Sequence, residues 1–456
     1  MENASTALGT ERVGKLMLRY AMPSIISFVV NALYNMVDQI FIGRSVGYIG
    51  NAATSIILPI ATLMMALCFM LGDGCAAYLS LSLGRRRADL GAKAVGNAMV
   101  LSVLSGIVMC ALFEIFMQPA CRFFGCNDEV MPYALEYGRI IVAGFPLSAI
   151  AISFGSPIRA DGRPKESMLG LLVGCAANFI LDPIFIFVFN WGMAGAALAT
   201  IIGQSLNAVL YIIGSFRFKS VAVTPACFRL SPAICGGVCK LGMSSFITQI
   251  ATVCVITATN NVIVTYGALS EYGADIPLAA FGITVKVNML LVSVILGLAL
   301  GAQPILGYNY GAQQFDRVKH TYKLAVVLGT VISILGFLVF ELVPDAIISI
   351  FGSESELYNE FARKSFRIFL LATPLLGVST ITPIFFQSIG KPVHATFLSL
   401  SRQILFLIPL LYIFAYIFGL DGFLAAGPVS DTICFILSVL LVALRWKKVF
   451  AADVKS

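Results

Sequence analysis

Two aspartates sit inside apolar stretches: Asp38 within the first and Asp182 within the fifth. A carboxylate at bilayer depth costs at least ~2.5–3.5 kcal/mol even on the lenient insertion scale, so such groups face the bundle interior and mark an ion, proton or substrate path. Each has polar companions at helical spacing. Asn31, Tyr34 and Asn35 precede Asp38, and Asn178 stands four residues before Asp182. Thr200 and Gln204 repeat the four-residue step in the sixth stretch. Residues three or four apart share a helix face, so each set forms a polar stripe that faces protein or water rather than lipid. If the stripes converge, they enclose a small chamber with two carboxyl groups. Burial and a neighbouring like charge both favour the protonated carboxyl. The chamber is therefore expected to take up H⁺, or to share Na⁺ with Asn and Thr oxygens.

The elements that must position these groups are transmembrane helices. Of 456 residues, 59% are hydrophobic and 12% charged, about half the ~25% charged content of ordinary soluble domains. Runs near the ~20 residues needed to cross a bilayer occur at 16–43, 51–82, 94–117, 133–156, 166–189, 193–216, 235–264, 278–303, 321–342, 362–388, 395–418 and 422–445. The first is too long for a signal-peptide core and reads as a retained helix. The fold class expected is all-α integral membrane, with twelve transmembrane helices.

The net charge of +7 does not indicate nucleic acid, because its distribution is that of a topology signal. With the N-terminus inside, most Lys and Arg fall in cytoplasmic loops, as in Arg85-Arg86-Arg87, Arg159/Arg163/Lys165, Arg217/Lys219, Arg317/Lys319/Lys323 and Arg445. The outer loops are acidic, with Asp128-Glu129, Glu271/Asp275 and Glu354/Glu356/Glu360. This is the positive-inside bias. It predicts a multi-pass protein of the cytoplasmic (inner) membrane with both termini cytoplasmic.

A shift of 227 or 228 residues partly overlays the chain on itself. Gly84 falls on Gly311, Asp89 on Asp316, Pro146 on Pro374, Gly162-Arg163-Pro164 on Gly390-Lys391-Pro392, and Gly192 on Gly419. Each half holds six spans, so both halves enter the membrane in the same sense. They are expected to form two lobes related by a two-fold axis along the membrane normal, with a substrate cleft between them. The expected division is an N-lobe at 1–217, a cytoplasmic linker at 218–234 and a C-lobe at 235–456. The ionisable site belongs to the N-lobe: Thr259, Asn260 or Asn261 are the counterparts of Asp38, and Asp182 maps near Pro409-Leu410. Gln249 and Asn261 on span seven join Asn31, Asn35 and Gln204 as candidate cavity residues. Pro23, fifteen residues before Asp38, lacks an amide donor and is a candidate hinge.

Other charged groups within spans are Asp73, Lys286 and Asp431, each compatible with gating or with a buried pair. The eleven cysteines form no CxxC pair. Cys235 and Cys239 lack the partners of a zinc site, so no metal or cofactor is expected beyond a coupling ion. Gly297–Gly311 is glycine-dense without a Walker lysine, and suits close helix packing rather than phosphate binding. No nucleophile–base constellation stands out, and the sequence around Asp73, Leu-Gly-Asp-Gly, departs from intramembrane aspartyl protease motifs. The chain is not read as an enzyme.

Together the stretch Asn31–Gly43, the Arg159-Ala160-Asp161-Gly162 loop with Lys165, Gly195-Ala196-Ala197 with Thr200, and Gln303-Pro304…Gly307-Tyr308-Asn309-Tyr310-Gly311 resemble the multidrug and toxic compound extrusion (MATE) family, in its bacterial DinF-like branch. The resemblance covers essentially the whole chain. It implies a secondary active antiporter, acting as a monomer, that exports amphipathic and often cationic compounds against H⁺ or Na⁺. It carries the coupling site onto Asp38, Tyr34, Asn31, Asn178, Asp182 and Thr200, and the hinge onto Pro23. Where relatives often carry an Asn on helix four, this chain reads Ser153-Phe154-Gly155-Ser156. The acidic C-lobe site of another branch has no counterpart. The major facilitator architecture also has twelve spans, and Gly84-Arg85-Arg86-Arg87 resembles part of its loop motif, but it leaves the helix-one signature unexplained. A flippase or exporter of lipid-linked, peptide or specialised metabolite substrates is the alternative reading. A pyrophosphate-binding cleft would want several cations, and the spans clearly offer only Lys286.

Overall fold

In lipid every backbone amide must be satisfied within the protein, which leaves a chain this apolar the choice of helices or a closed barrel. The computed structural model of the chain is all-helical, and it describes residues 7–273, 275–351 and 356–451. Glu354 and the extreme termini lie outside the described residues. The helices are α1 (Val13–Val46), α2 (Tyr48–Gly84), α3 (Ala88–Phe123), α4 (Met131–Ala160), α5 (Pro164–Val188), α6 (Gly192–Ser215), α7 (Pro232–Gly267), α8 (Asp275–Gly311), α9 (Phe315–Leu342), α10 (Glu356–Ser388), α11 (392–418) and α12 (420–446). A short helix, Pro344–Phe351, precedes α10. Long apolar side chains such as Ile115, Val188 and Leu335 remain exposed on the outer faces, where lipid is the solvent.

The helices overrun the apolar stretches that mark them, because a helix can continue into polar surroundings after leaving lipid. The last two expected spans emerge as one 55-residue helical run, Pro392–Trp446. At 1.5 Å per residue it would be roughly 80 Å long, far beyond one bilayer. Gly419 breaks it with φ 63° and ψ −141°. A Cβ at Gly422 would lie 1.9 Å from the Phe414 carbonyl oxygen, so the chain folds back tightly there and crosses a second time.

The repeat is written into the backbone. Left-handed residues recur at Arg86 and Gln313, at Gly192 and Gly419, and at Gly162 and Gly390. Gly162 and Gly390 end α4 and α10, and the prolines two residues later open α5 and α11, a left-handed glycine stop followed by a proline start. The six-helix lobes meet near their common axis: Gly84 of α2 lies against its own repeat partner, Gly311 of α8.

Close glycine contacts between the lobes gather at the end of the molecule that carries the linker. Gly74 of α2 packs on Val238 and Gly242 of α7, and Gly297 and Gly301 of α8 pack on Ile25 and Ala21 of α1. Around them an apolar cluster mixes Leu16, Met17 and Tyr20 with Leu298, Ile305 and Leu306. Small residues allow this approach where lipid offers no hydrophobic driving force between helices. Asn35 and Asn261 lie exposed toward the far end.

The segment between α6 and α7 is bound to the N-lobe. Asp161, at the α4–α5 turn, accepts hydrogen bonds from the Arg163 Nε (2.7 Å), the Lys219 amide (3.0 Å) and the Ser220 amide (2.8 Å). Arg163 also reaches the Gly214 carbonyl at 2.6 Å. From α3, Asn97 donates to the Cys227 and Arg229 carbonyls and accepts from the Ser231 amide. The Asp161 and Arg163 side chains are 0% and 3% exposed. Asp161→Ala leaves the Arg163 guanidinium to Glu166 and the Gly214 carbonyl and deprives the Lys219 and Ser220 amides of their acceptor, and is expected to cost about 1–3 kcal/mol. A correspondingly lower thermal midpoint in detergent would show it, and an unchanged midpoint would contradict it.

Candidate coupling site

Three helices bring the site together. α1 packs on α8 through Ala21 and Ile25 and carries Tyr34 and Asp38 further along. α5 carries Asn178 and Asp182, and α6 carries Thr200. Asp182 is followed by Pro183, which has no amide to give the Phe179 carbonyl. The helix relaxes into a π turn at Ile184–Val188, and such wide turns recur at functional sites.

The Asp38 and Asp182 carboxyl groups are close neighbours. Both are buried, as are Asn178 and Thr200. Asn178 Nδ2 donates to Thr200 Oγ1 at 3.2 Å and, at a longer 3.4 Å, to Asp182 Oδ1. Tyr34 lies against Thr200. Two ionised carboxylates are acceptors only, so a hydrogen bond between them needs a proton; without one, a cation is needed to hold them together. Asp38 Oδ1 and Asn178 Oδ1 are buried oxygens without a partner, a surplus of acceptors suited to a proton, a water or a small cation. Among the described residues no group of three or more His, Cys, Asp or Glu could hold a metal ion. The oxygen set here is two carboxyls, an amide and a hydroxyl.

The remaining sequence candidates lie elsewhere. Asn35 is exposed and donates back to the Asn31 carbonyl at 2.7 Å, so this pair satisfies itself. Gln204 and Gln249 are half-buried and Asn261 is exposed. Pro23 is buried inside α1, between the Ala21 and Ile25 contacts with α8. Its carbonyl accepts from Ser27 at 2.8 Å.

Two neighbours escaped sequence reasoning. Gln39 lies beside Asp38 and accepts from Thr54 of α2 at 3.1 Å. Tyr137 of α4 sits near both carboxyls. It comes from two turns before Phe145, whereas the Ser153–Ser156 stretch that replaces the relatives' Asn is occupied differently. Ser153 donates to the Ala149 carbonyl, and Ser156 donates to Asp73 at 2.7 Å.

The three charged groups left open by the sequence receive different surroundings. Asp73 is buried between the lobes: its second oxygen accepts from Ser245 of α7 at 2.8 Å, and Gln387 of α10 reaches the same serine. On the N-lobe side, Arg159 donates to Ser156 at 2.6 Å. Asp431 pairs with Arg402 at 2.9 Å inside the C-lobe. Lys286 is exposed.

Two parallel-repeat helical lobes with a buried polar cluster inside one of them are an architecture of membrane transporters. The MatE family profile matches residues 23–184 and 249–413, and the chain belongs to that family. It is 23% identical over 429 residues to the multidrug export protein MepA of Staphylococcus haemolyticus (strain JCSC1435), covering 94% of this chain and 93% of that one. It superposes on the outward-facing conformation of a multidrug resistance MATE family transporter of the MOP superfamily with a TM-score of 0.90, at 22% identity over 98% of this chain and 99% of that one. It is also similar to the MATE multidrug transporter DinF-BH, with a TM-score of 0.89 and 32% identity over 97% of this chain and 98% of that one.

Proposed function

We propose that the protein is a monomeric efflux antiporter of the cytoplasmic membrane that exports amphipathic, often cationic compounds in exchange for H⁺ or Na⁺. The observation that carries this reading is the meeting of Asp38 and Asp182 inside the N-lobe, with buried acceptors left over for an incoming cation. Residues 1–217 and 235–456 act as the two moving units, and the linker at 218–234 travels with the N-lobe through Asn97 and Asp161. Both termini face the cytoplasm, which agrees with the gathering of Arg85, Arg159, Arg217 and Arg317 at the linker end. Entry of the coupling ion between the carboxyls rearranges the upper part of α1 about Pro23, because the lower part is clamped on α8. The chamber then contracts and substrate leaves through the far end. Asn31, Asn35, Gln204, Gln249 and Asn261 serve as polar contacts along that route.

Efflux of a cationic fluorescent dye from proteoliposomes, driven separately by a pH gradient and by a Na⁺ gradient, tests this. Movement under one gradient is expected and names the ion. No movement under either, with protein correctly inserted, would turn the assignment toward a peptide, a specialised metabolite or a lipid-linked substrate.

A further inference from the structure

The arginine run after α2 has no part in the coupling site, yet the structure gives two of its members a shared task. A pocket of about 290 Å³ opens at the linker end of the lobe interface, close to the ~300 Å³ lower bound of ordinary small-ligand sites. Both lobes build it. Tyr78, Arg85 and Arg87 come from α2 and the turn that follows; Lys240 and Leu241 come from α7, and Pro392 opens α11. Arg86 takes the left-handed conformation, φ 58°, and is not part of the wall.

Three cations and no carboxylate line this cavity. Some other cations at the same end are paired, Arg163 with Asp161 and Glu166, and Lys319 with Asp316. Among the described residues no ion pair involves Arg85, Arg87 or Lys240. Like charges focused on a concave surface with apolar walls raise the local concentration of anions. Arg85 and Arg87 offer planar forks matched to phosphate oxygens, and Lys240 a compact point charge.

We propose that this pocket binds a phosphate-bearing anion, the headgroup of an anionic glycerophospholipid, and that the bound phosphate ties α2 to α7 across the lobe interface. The apolar walls from Tyr78, Leu241 and Pro392 favour a lipid over the free anion, since basic pockets between transmembrane helices suit such headgroups. The consequence is conformational. Gly74 and Gly242 hold these same two helices in contact, and the cations from the two lobes converge only while that contact lasts. A ligand that prefers one state draws the population toward it by its differential affinity. Anionic lipid therefore favours closure of the linker end.

The test uses full-length protein in nanodiscs of phosphatidylcholine with increasing phosphatidylglycerol. Native mass spectrometry counts retained lipid, and hydrogen exchange of residues 232–245 reports closure. Wild type is expected to retain phosphatidylglycerol at least about tenfold better than the combined Arg85→Gln, Arg87→Gln, Lys240→Gln variant, and only wild type gains protection with lipid. All three side chains are exposed, so their replacement leaves packing intact. Arg44→Gln, Arg122→Gln and Arg139→Gln together make the same charge change at the far end, and this control should match wild type. Equal retention by wild type and the pocket variant overturns the site, as does an equal loss in the control. Protection restored by millimolar inorganic phosphate in phosphatidylcholine alone overturns the lipid as the source.

Discussion

Asp38→Asn and Asp182→Asn should each reduce gradient-driven dye efflux by about 5–150-fold, the span of ordinary coupling free energies, while the protein folds and inserts as before. Asparagine keeps the size and one acceptor of aspartate, and at position 182 it can still meet the long 3.4 Å bond from Asn178. It cannot take up and release a proton, and it removes half the charge that would draw a cation between α1 and α5. Stability is expected to hold or rise slightly, because neutralising one member of a close carboxyl pair removes repulsion that the ionised pair would suffer. The double variant should be no worse than either single one, since residues acting as a unit are not additive. Thr200→Val is a graded control. It deletes the acceptor of the 3.2 Å bond from Asn178, a neutral hydrogen bond worth about 0.5–1.5 kcal/mol, and should weaken coupling a few-fold. Normal efflux by Asp38→Asn at wild-type expression would end the claim that this pair couples transport.

The sequence made the spans and the repeat legible for a physical reason: lipid imposes a length on every crossing, and duplication copies the turn glycines. Gly162 and Gly390 could be paired by spacing alone, and the structure gives both the same left-handed turn. The site was readable as three polar stripes because each had to sit on an apolar helix. What could not be read was contact between helices. Tyr137 is one aromatic among fifteen tyrosines, and nothing in its neighbours signals that it lies near two carboxyls. Gln39 stands next to Asp38, and adjacent helix positions do not ordinarily face one way. Asp73 gave the opposite difficulty. Its type announced importance, but only the crossing of α2 with α7 reveals that one of its oxygens answers each lobe. Asp161 belongs to a recognisable loop, while its grip on the start of the linker depends on where α6 ends in space.

Gly242→Leu is the substitution expected to disturb the lobes most. A Cβ built on Gly242 falls 1.8 Å from the Met70 carbonyl oxygen and 2.9 Å from the Met70 Cα, and one built on Gly74 falls 2.1 Å from the Val238 carbonyl. These are backbone atoms of rigid helices, so no rotamer change relieves the clash, and α7 must retreat from α2 by more than ~1 Å. A bond such as that of Ser245 to Asp73, 2.8 Å long, does not survive a retreat of that size. Overpacking of this kind usually costs about 1–3 kcal/mol or more, and here the strain is relieved by one motion, opening of the linker end. The expected result is a transporter that inserts normally, shows faster hydrogen exchange over residues 70–84 and 232–245, and exports dye no faster than leak. Gly242→Ala should move in the same direction by a smaller amount. Gly236→Ala, on the same helix with nothing within 4 Å of the added carbon, should be silent in all three readouts. Wild-type exchange and efflux in Gly242→Leu would mean that backbone contact between α2 and α7 is dispensable for closure, and alternating access would have to rest on the contacts of α8 with α1 and α2.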